Sequence, residues 1–186
     1  MKKEVLSQKD LLKKDIFDYC KALLISLVSV YIIVHYIFLP VQVKGTSMYP
    51  TLENQALGIS NKIGFTLNGL KRFDIVIIHM DNNNYLVKRI IGLPGETISY
   101  KEDKLYINGE YVEEPFFDES YRASSSHPFT NDFEEITLGE NEYYCLGDNR
   151  PSSRDSRYYG PFQKEQLSSK GVFIFYPFSK FGVKSW

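Results

Sequence analysis

Three groups of residues in this 186-residue chain could do chemistry together. The first is Ser47, in the run Val43-Lys44-Gly45-Thr46-Ser47-Met48-Tyr49-Pro50-Thr51-Leu52. The second is Lys88, set among apolar residues in Tyr85-Leu86-Val87-Lys88-Arg89-Ile90-Ile91-Gly92-Leu93-Pro94-Gly95. The third is the cluster of hydroxyl, carboxylate and guanidinium groups in Gly147-Asp148-Asn149-Arg150-Pro151-Ser152-Ser153-Arg154-Asp155-Ser156-Arg157. A free serine is a weak nucleophile and needs a base within hydrogen-bond reach. His35, His79 and His127 have no supporting motif.

A lysine can be that base only when neutral. At an ordinary pKa near 10.4, roughly one molecule in 2,500 is neutral at pH 7. Lowering that pKa to ~8 takes about 3 kcal/mol of selective destabilisation of the ammonium. Burial of Lys88 between Leu86-Val87 and Ile90-Ile91 can supply it. A free carboxylate nearby would reverse the effect, so Asp155 must be committed elsewhere. Arg157 and Arg89 are its natural takers, since guanidinium grips carboxylate with a rigid fork. Ser153 can hold the lysine amine through its hydroxyl without adding charge. Taken singly, each group is commonly structural: a turn, a solvated strand face, a loop. Their joint occurrence in one domain points to a serine–lysine peptidase.

These groups need a scaffold, and the chain divides into an anchor and a domain. Ala22 to Leu39 is apolar except for Ser26, Ser29 and His35. Eighteen helical residues rise ~27 Å, close to the ~30 Å of a bilayer's hydrocarbon. No equally apolar helix follows to bury it, so a transmembrane helix over 22–39 is expected. The span ends Phe38-Leu39-Pro40-Val41-Gln42-Val43 without a small-x-small site, which argues against a cleaved leader. Lys2, Lys3, Lys9, Lys13, Lys14 and Lys21 precede it and only Lys44 follows closely. That bias predicts a cytoplasmic segment 1–21 and an extracytoplasmic domain 40–186; the mixed-charge stretch Lys2–Asp18 is read as a frayed tail, with a helix along the inner surface as the alternative. Ser47 lies eight residues after Leu39, so an extended linker keeps it within roughly 28 Å of the span's end.

The formal net charge of −1 gives no electrostatic footprint for nucleic acid. Cys20 and Cys145 fall on opposite sides of the expected bilayer and cannot pair, and Cys145 reads as a buried strand residue. The histidines share no ligand spacing with each other or with cysteine, so no metal and no cofactor are expected.

Downstream of Val41 the periodicity is that of strands. Short runs recur at Val41–Lys44, Ala56–Asn61, Asp74–Met80, Leu86–Gly92, Thr97–Tyr100, Leu105–Ile107, Tyr143–Leu146 and Val172–Tyr176. Leu93-Pro94-Gly95-Glu96 fits a type II turn and Asn108-Gly109 a two-residue hairpin loop. The expected fold is mainly β, an antiparallel all-β catalytic domain. The acidic stretch 113–142 breaks the alternation and predicts a flap or small cap outside the sheet. Phe178, Phe181 and Trp186 follow the last strand and suit an interfacial contact with lipid.

With these residues in view, the chain resembles a type I signal peptidase (leader peptidase) of the single-span kind found in Gram-positive bacteria. Four blocks carry the resemblance: Gly45–Leu52, Arg72-Phe73-Asp74-Ile75-Val76, Tyr85–Gly95 and Gly147–Gly160. It implies Ser47 as nucleophile, Lys88 as general base, Ser153 orienting Lys88, and a structural Asp155–Arg157 pair. It also implies exported preproteins as partners, a lipid bilayer around the anchor, and a monomer. By analogy the substrate adds as a strand, and Val41, Val43, Met48, Leu52, Leu86 and Val87 line two shallow pockets for an Ala-x-Ala site. Where some relatives carry an oxyanion-binding serine, this chain has Gly45. The rivals are a self-cleaving repressor-type peptidase, a non-catalytic paralogue assisting surface-protein or pilus assembly, and a plain anchored binding domain. The first would need a DNA-binding helical domain and a cytoplasmic location, against both of which the span and its outside topology argue; the second would lack Ser47 or Lys88, and the third leaves the motifs unexplained.

Overall fold

The computed structural model describes residues 8–81, 84–117, 119–124 and 128–184. Lys2, Lys3, His127 and Trp186 lie outside them. The chain forms two compact units, Met1–Phe38 and Leu39–Trp186.

The first unit is a helix. α1 runs Gln8–Ile32 and continues as a wider π-helical turn over Ile33–Ile37. Among the described residues it is the one helix long and apolar enough to cross a membrane, over Leu11–Ile37. Two expectations are corrected. Lys9–Lys21 is not a frayed tail but the first turns of α1, because its Leu-Leu-Lys-Lys composition favours helix and no breaker separates it from the apolar run. Phe38 and Leu39 belong to a strand rather than the span, since Pro40 disfavours helix at the residue before it.

The second unit holds two antiparallel sheets. The strands are β1 (Phe38–Gln42), β2 (Leu57–Asn61), β3 (Ile75–His79), β4 (Tyr85–Gly92), β5 (Thr97–Lys101), β6 (Lys104–Ile107), β7 (Glu110–Val112), β8 (Phe133–Thr137), β9 (Glu142–Leu146), β10 (Phe162–Gln163), β11 (Leu167–Tyr176) and β12 (Gly182–Lys184). The larger sheet is ordered β1-β2-β11-β3-β4-β9-β10, with β12 on β11, and the smaller β7-β6-β5-β8. Short helices α2 (Lys62–Asn68), α3 (Glu119–Ala123) and α4 (Ser156–Tyr159) fill connections. The predicted all-β domain is therefore what forms.

Local signals explain the register. Asn108 and Gly109 both take positive φ, and Ile107 faces Glu110 across this tight loop. Glu96 N–H closes the turn on Leu93 C=O with Gly95 at φ +78°. β3 reads Ile-Val-Ile-Ile because both faces are covered: Ile75 packs with Met48, Leu52 and Val172, while Val76 and Ile78 pack with Ile90, Cys145 and Leu167. A third cluster, including Ile91, Ile98, Tyr100, Leu146 and Leu138, joins the two sheets.

The stretch 113–142 is not wholly outside the sheets. Phe133–Thr137 pairs with β5 as the edge of the smaller sheet, and Phe129, Thr130 and Glu114 are buried. Its alternation was hidden because only Phe133 and Ile136 point inward, with acids between.

Candidate active site

β4 supplies Lys88. Successive strand side chains leave opposite faces, so Lys88 and Arg89, both buried, go to different neighbours. Lys88 Nζ lies 2.8 Å from Ser47 Oγ and is 2% exposed. Ser47 sits in the tight turn after β1, where Tyr49 N–H donates to Thr46 C=O and Leu52 N–H to Met48 C=O. Met48 and Leu52 anchor that turn in the core.

The loop after β9 closes over both. Asn149 N–H donates to Ser47 C=O at 3.0 Å, and the Asn149 side chain to Thr46 C=O. Gly147 packs so closely that a Cβ there would collide with the Ser47 carbonyl and the Ser153 hydroxyl. Asp155 is fully buried. It accepts from Arg157 Nε at 2.9 Å, from the second guanidinium nitrogen at 2.8 Å and from Gly147 N–H at 3.0 Å, and it caps α4. Arg89 takes a different carboxylate from the one expected. It grips Asp148 with both prongs, at 2.8 and 2.7 Å, because the strand pleat turns it away from Asp155. Thr51 Oγ1 donates to the same Asp148 carboxylate, tying the nucleophile turn to this pair.

The electrostatics follow from these pairings. Burial lowers the Lys88 pKa to about 8, against the pull of Asp155, Asp148 and Cys145, with Arg157 reinforcing the fall. Burial alone would raise the Asp155 carboxyl, but Arg157 and the Gly147 N–H hold it below the usual range. The Ser153 hydroxyl lies beside Asp155 and favours its ionised form, yet no group meets hydrogen-bond geometry with this buried oxygen. Burial drives the Cys145 thiol upward, keeping it neutral under Lys88. Among the described residues no group of three or more His, Cys, Asp or Glu side chains could hold a metal ion.

A cleft of about 480 Å³ opens on this pair, lined by Leu39–Lys44, Ser47, Met48, Ile77 and Asn84–Lys88. Both runs contribute consecutive residues, so backbone edges line the cleft rather than one pleat face. β1 is the end of the sheet and pairs only with β2, while β4 over Tyr85–Lys88 pairs only with β3. Three strands separate β1 from β4 in the sheet order, so the sheet curls until these two edges face each other. Of the residues expected to line pockets, Val41, Val43, Met48, Leu86 and Val87 line this cleft. Leu52 lies behind it in the core, 1% exposed beside Ala56, Ile75 and Ile174.

Pro40, Gln42, Ile77, Asn84, Tyr85 and the role of Asp148 were not foreseen. The edge position of β1 would have indicated the first two, but edges are known only once strands are ordered. Gly45 has φ +92°, a region costly for a serine, and its N–H is held by Asn54 Oδ1.

The family profile described as "Signal peptidase, peptidase S26" matches residues 16–176. Signal peptidase I S of Bacillus subtilis (strain 168) is 40% identical over 184 residues, 97% of either chain. Signal peptidase IB of Staphylococcus aureus (strain COL) is 32% identical over 180 residues, 91% of this chain and 94% of that one. A crystal structure of a signal peptidase I from Enterococcus faecalis V583 superposes with TM-score 0.50 at 38% identity, covering 54% of this chain and 95% of the other.

Proposed function

This chain belongs to the signal peptidase family, peptidase S26, and on that premise we propose that it cuts with Ser47 as nucleophile and Lys88 as general base. It removes signal peptides from exported preproteins. The carrying observation is the 2.8 Å approach of a buried lysine amine to Ser47 Oγ. A preprotein strand enters between the β1 and β4 edges and pairs with both backbones, and its small side chains fill the shallow spaces by Val41, Val43, Leu86 and Val87.

Neutral Lys88 takes the Ser47 proton as Oγ attacks the scissile carbonyl carbon. The Ser47 N–H stabilises the oxyanion, and Gly45 offers no second hydroxyl. The Lys88 ammonium then protonates the leaving amine, which becomes the mature protein's N-terminus. Lys88 next deprotonates a water that attacks the Ser47 ester. The signal peptide leaves as a carboxylate and Ser47 regains its proton. The Ser153 hydroxyl, expected to hold the amine, makes no hydrogen bond to it, while Arg157 pairs with Asp155 and Arg89 with Asp148, so neither carboxylate stands uncompensated near Lys88.

We place α1 across the bilayer with its lysine-rich end in the cytoplasm and the β-domain outside, and take the protein to act as a monomer. Exposed Phe178 and Phe181 then meet lipid headgroups. Incubating the detergent-solubilised protein with a preprotein, and locating the cut by mass spectrometry, tests the reaction. Protease protection in vesicles tests the orientation. A cytoplasmic β-domain overturns the reading.

A further inference from the structure

Glu114, Phe116 and Tyr121 lie outside the four sequence blocks, yet they touch β4, the turn that holds Ser47 and the loop after β9. The Phe116 ring lies 4.0 Å from the guanidinium carbon of Arg89, next to Lys88 on β4. Tyr121, on α3, packs edge-on against Tyr49, two residues past Ser47, with ring centres 5.6 Å apart. Glu114 is buried and ion-paired to the fully buried Arg150, which belongs to the loop over the site. Three elements of the site therefore lean on one short stretch of chain.

The Glu114–Arg150 pair is the strongest of these links. Arg150 also reaches the Tyr100 and Thr130 hydroxyls and lies 4.8 Å from the Phe117 ring centre. Its Nε donates to Gly147 C=O at 3.0 Å, and its own carbonyl accepts from Arg157 at 2.8 Å. Gly147 is the residue packed on the Ser47 carbonyl and bonded to Asp155. A displacement of Arg150 therefore moves Gly147, Arg157 and Asp155 together. A buried guanidinium without its carboxylate cannot keep its place, because an unpaired charge in the interior is strongly unfavourable.

We propose that Glu114, Phe116 and Tyr121 form a positioning clamp for the Ser47–Lys88 pair, with Glu114 its central residue and Phe116 its second contact. The proposal rests on the serine–lysine reading above. Glu114 touches no reacting atom, so it is a positioning residue. Its effect belongs in turnover, where small misplacements are amplified, rather than in substrate affinity, which the distant β1 and β4 edges set.

The test uses full-length protein in detergent micelles with a preprotein substrate, measuring kcat, KM and melting temperature. Glu114→Gln should lower kcat by about ten- to a hundredfold with KM held within about twofold, and Glu114→Asp should recover most of the loss. Phe116→Leu should lower kcat about threefold or more. The pH dependence of each gives a second readout, since Lys88 faces Asp155, Asp148, Cys145 and Arg157, and two of these move with Arg150. Wild-type kcat in Glu114→Gln, or a loss that only tracks the unfolded fraction, overturns the clamp. If Glu114→Gln does not fold, Phe116→Leu decides, and unchanged kcat there overturns it. Lys88→Ala run alongside separates the two ideas. If Lys88→Ala still cuts, the serine–lysine reading falls and the clamp with it. If Lys88→Ala is dead while both clamp variants cut normally, only the clamp falls.

Discussion

Arg89 and Asp148 meet fork to fork at 2.8 and 2.7 Å, and both side chains are all but excluded from water. Arg89 follows Lys88 in the chain but points the other way, and it pairs the carboxylate of Asp148, whose charge pulls the Lys88 pKa upward. Breaking such a buried pair from one side leaves the other charge stranded, at a cost of about 3–5 kcal/mol. Asp148→Asn should therefore lower the denaturation free energy by about that amount, read from a denaturant titration. A loss under about 1 kcal/mol would mean the pair is solvated in solution.

Ser47→Ala and Lys88→Ala should each reduce preprotein cleavage by at least about 10⁴-fold while leaving circular dichroism and membrane insertion unchanged. The double variant should be no worse than either single one, because the two act as a unit. Additive losses would assign the residues to separate steps.

Activity should switch on with rising pH. Lys88 must be neutral, and its pKa sits at about 8, so the acid limb of kcat/KM should have its midpoint near that value. Stability should follow the same group. The folded state releases this proton near pH 8 and the unfolded chain only near 10.5, so burial of the charge is fully penalised below pH 8. Lys88→Met should then stabilise the protein by up to about 3 kcal/mol at pH 7, an advantage that fades as the pH approaches 10.5. Parallel melting curves at pH 7 and pH 10 check the sign.

Arg157→Met leaves the Asp155 carboxylate unpaired near Lys88. An uncompensated negative charge favours the ammonium, so the acid limb should move above pH 8 and activity at pH 7 should fall. A limb that stays in place would show that Asp155 is neutralised from elsewhere.

Leu52→Ala separates lining from support. As a core residue behind the cleft, Leu52 should cost about 2–5 kcal/mol of stability when truncated and leave the cleavage-site preference unchanged. A shifted cut, mapped by mass spectrometry, would return Leu52 to the pocket.

How far the sequence reached depended on distance along the chain. Strands with a clear period, the Asn108-Gly109 hairpin and the apolar setting of Lys88 are local properties, and each appeared where expected. The pairing of Ser47 with Lys88 was also legible, because serine without a histidine partner leaves few bases. What escaped was relational. Whether Arg89 turns to Asp148 or Asp155 depends on which pleat face meets the loop after β9. Leu52 and Met48 look alike in sequence and both pack with Ala56 and Ile75 in the core, but of the two only Met48 also reaches the cleft. Phe133–Thr137 became a strand because β5 offered it an edge, not because its own pattern demanded one.

The edges of β1 and β4 line one cleft, which we take to receive an extended strand. Main-chain amides are the same in every protein, so a guest held mostly by them is gripped without being read. On the proposed reading, discrimination falls to the side chains of Val41, Val43, Leu86 and Val87, which line the cleft. A cleft of this kind can serve a whole secretome whose leaders share no common wording. It also fixes where selectivity can be engineered: in those side chains, and nowhere along the ladder.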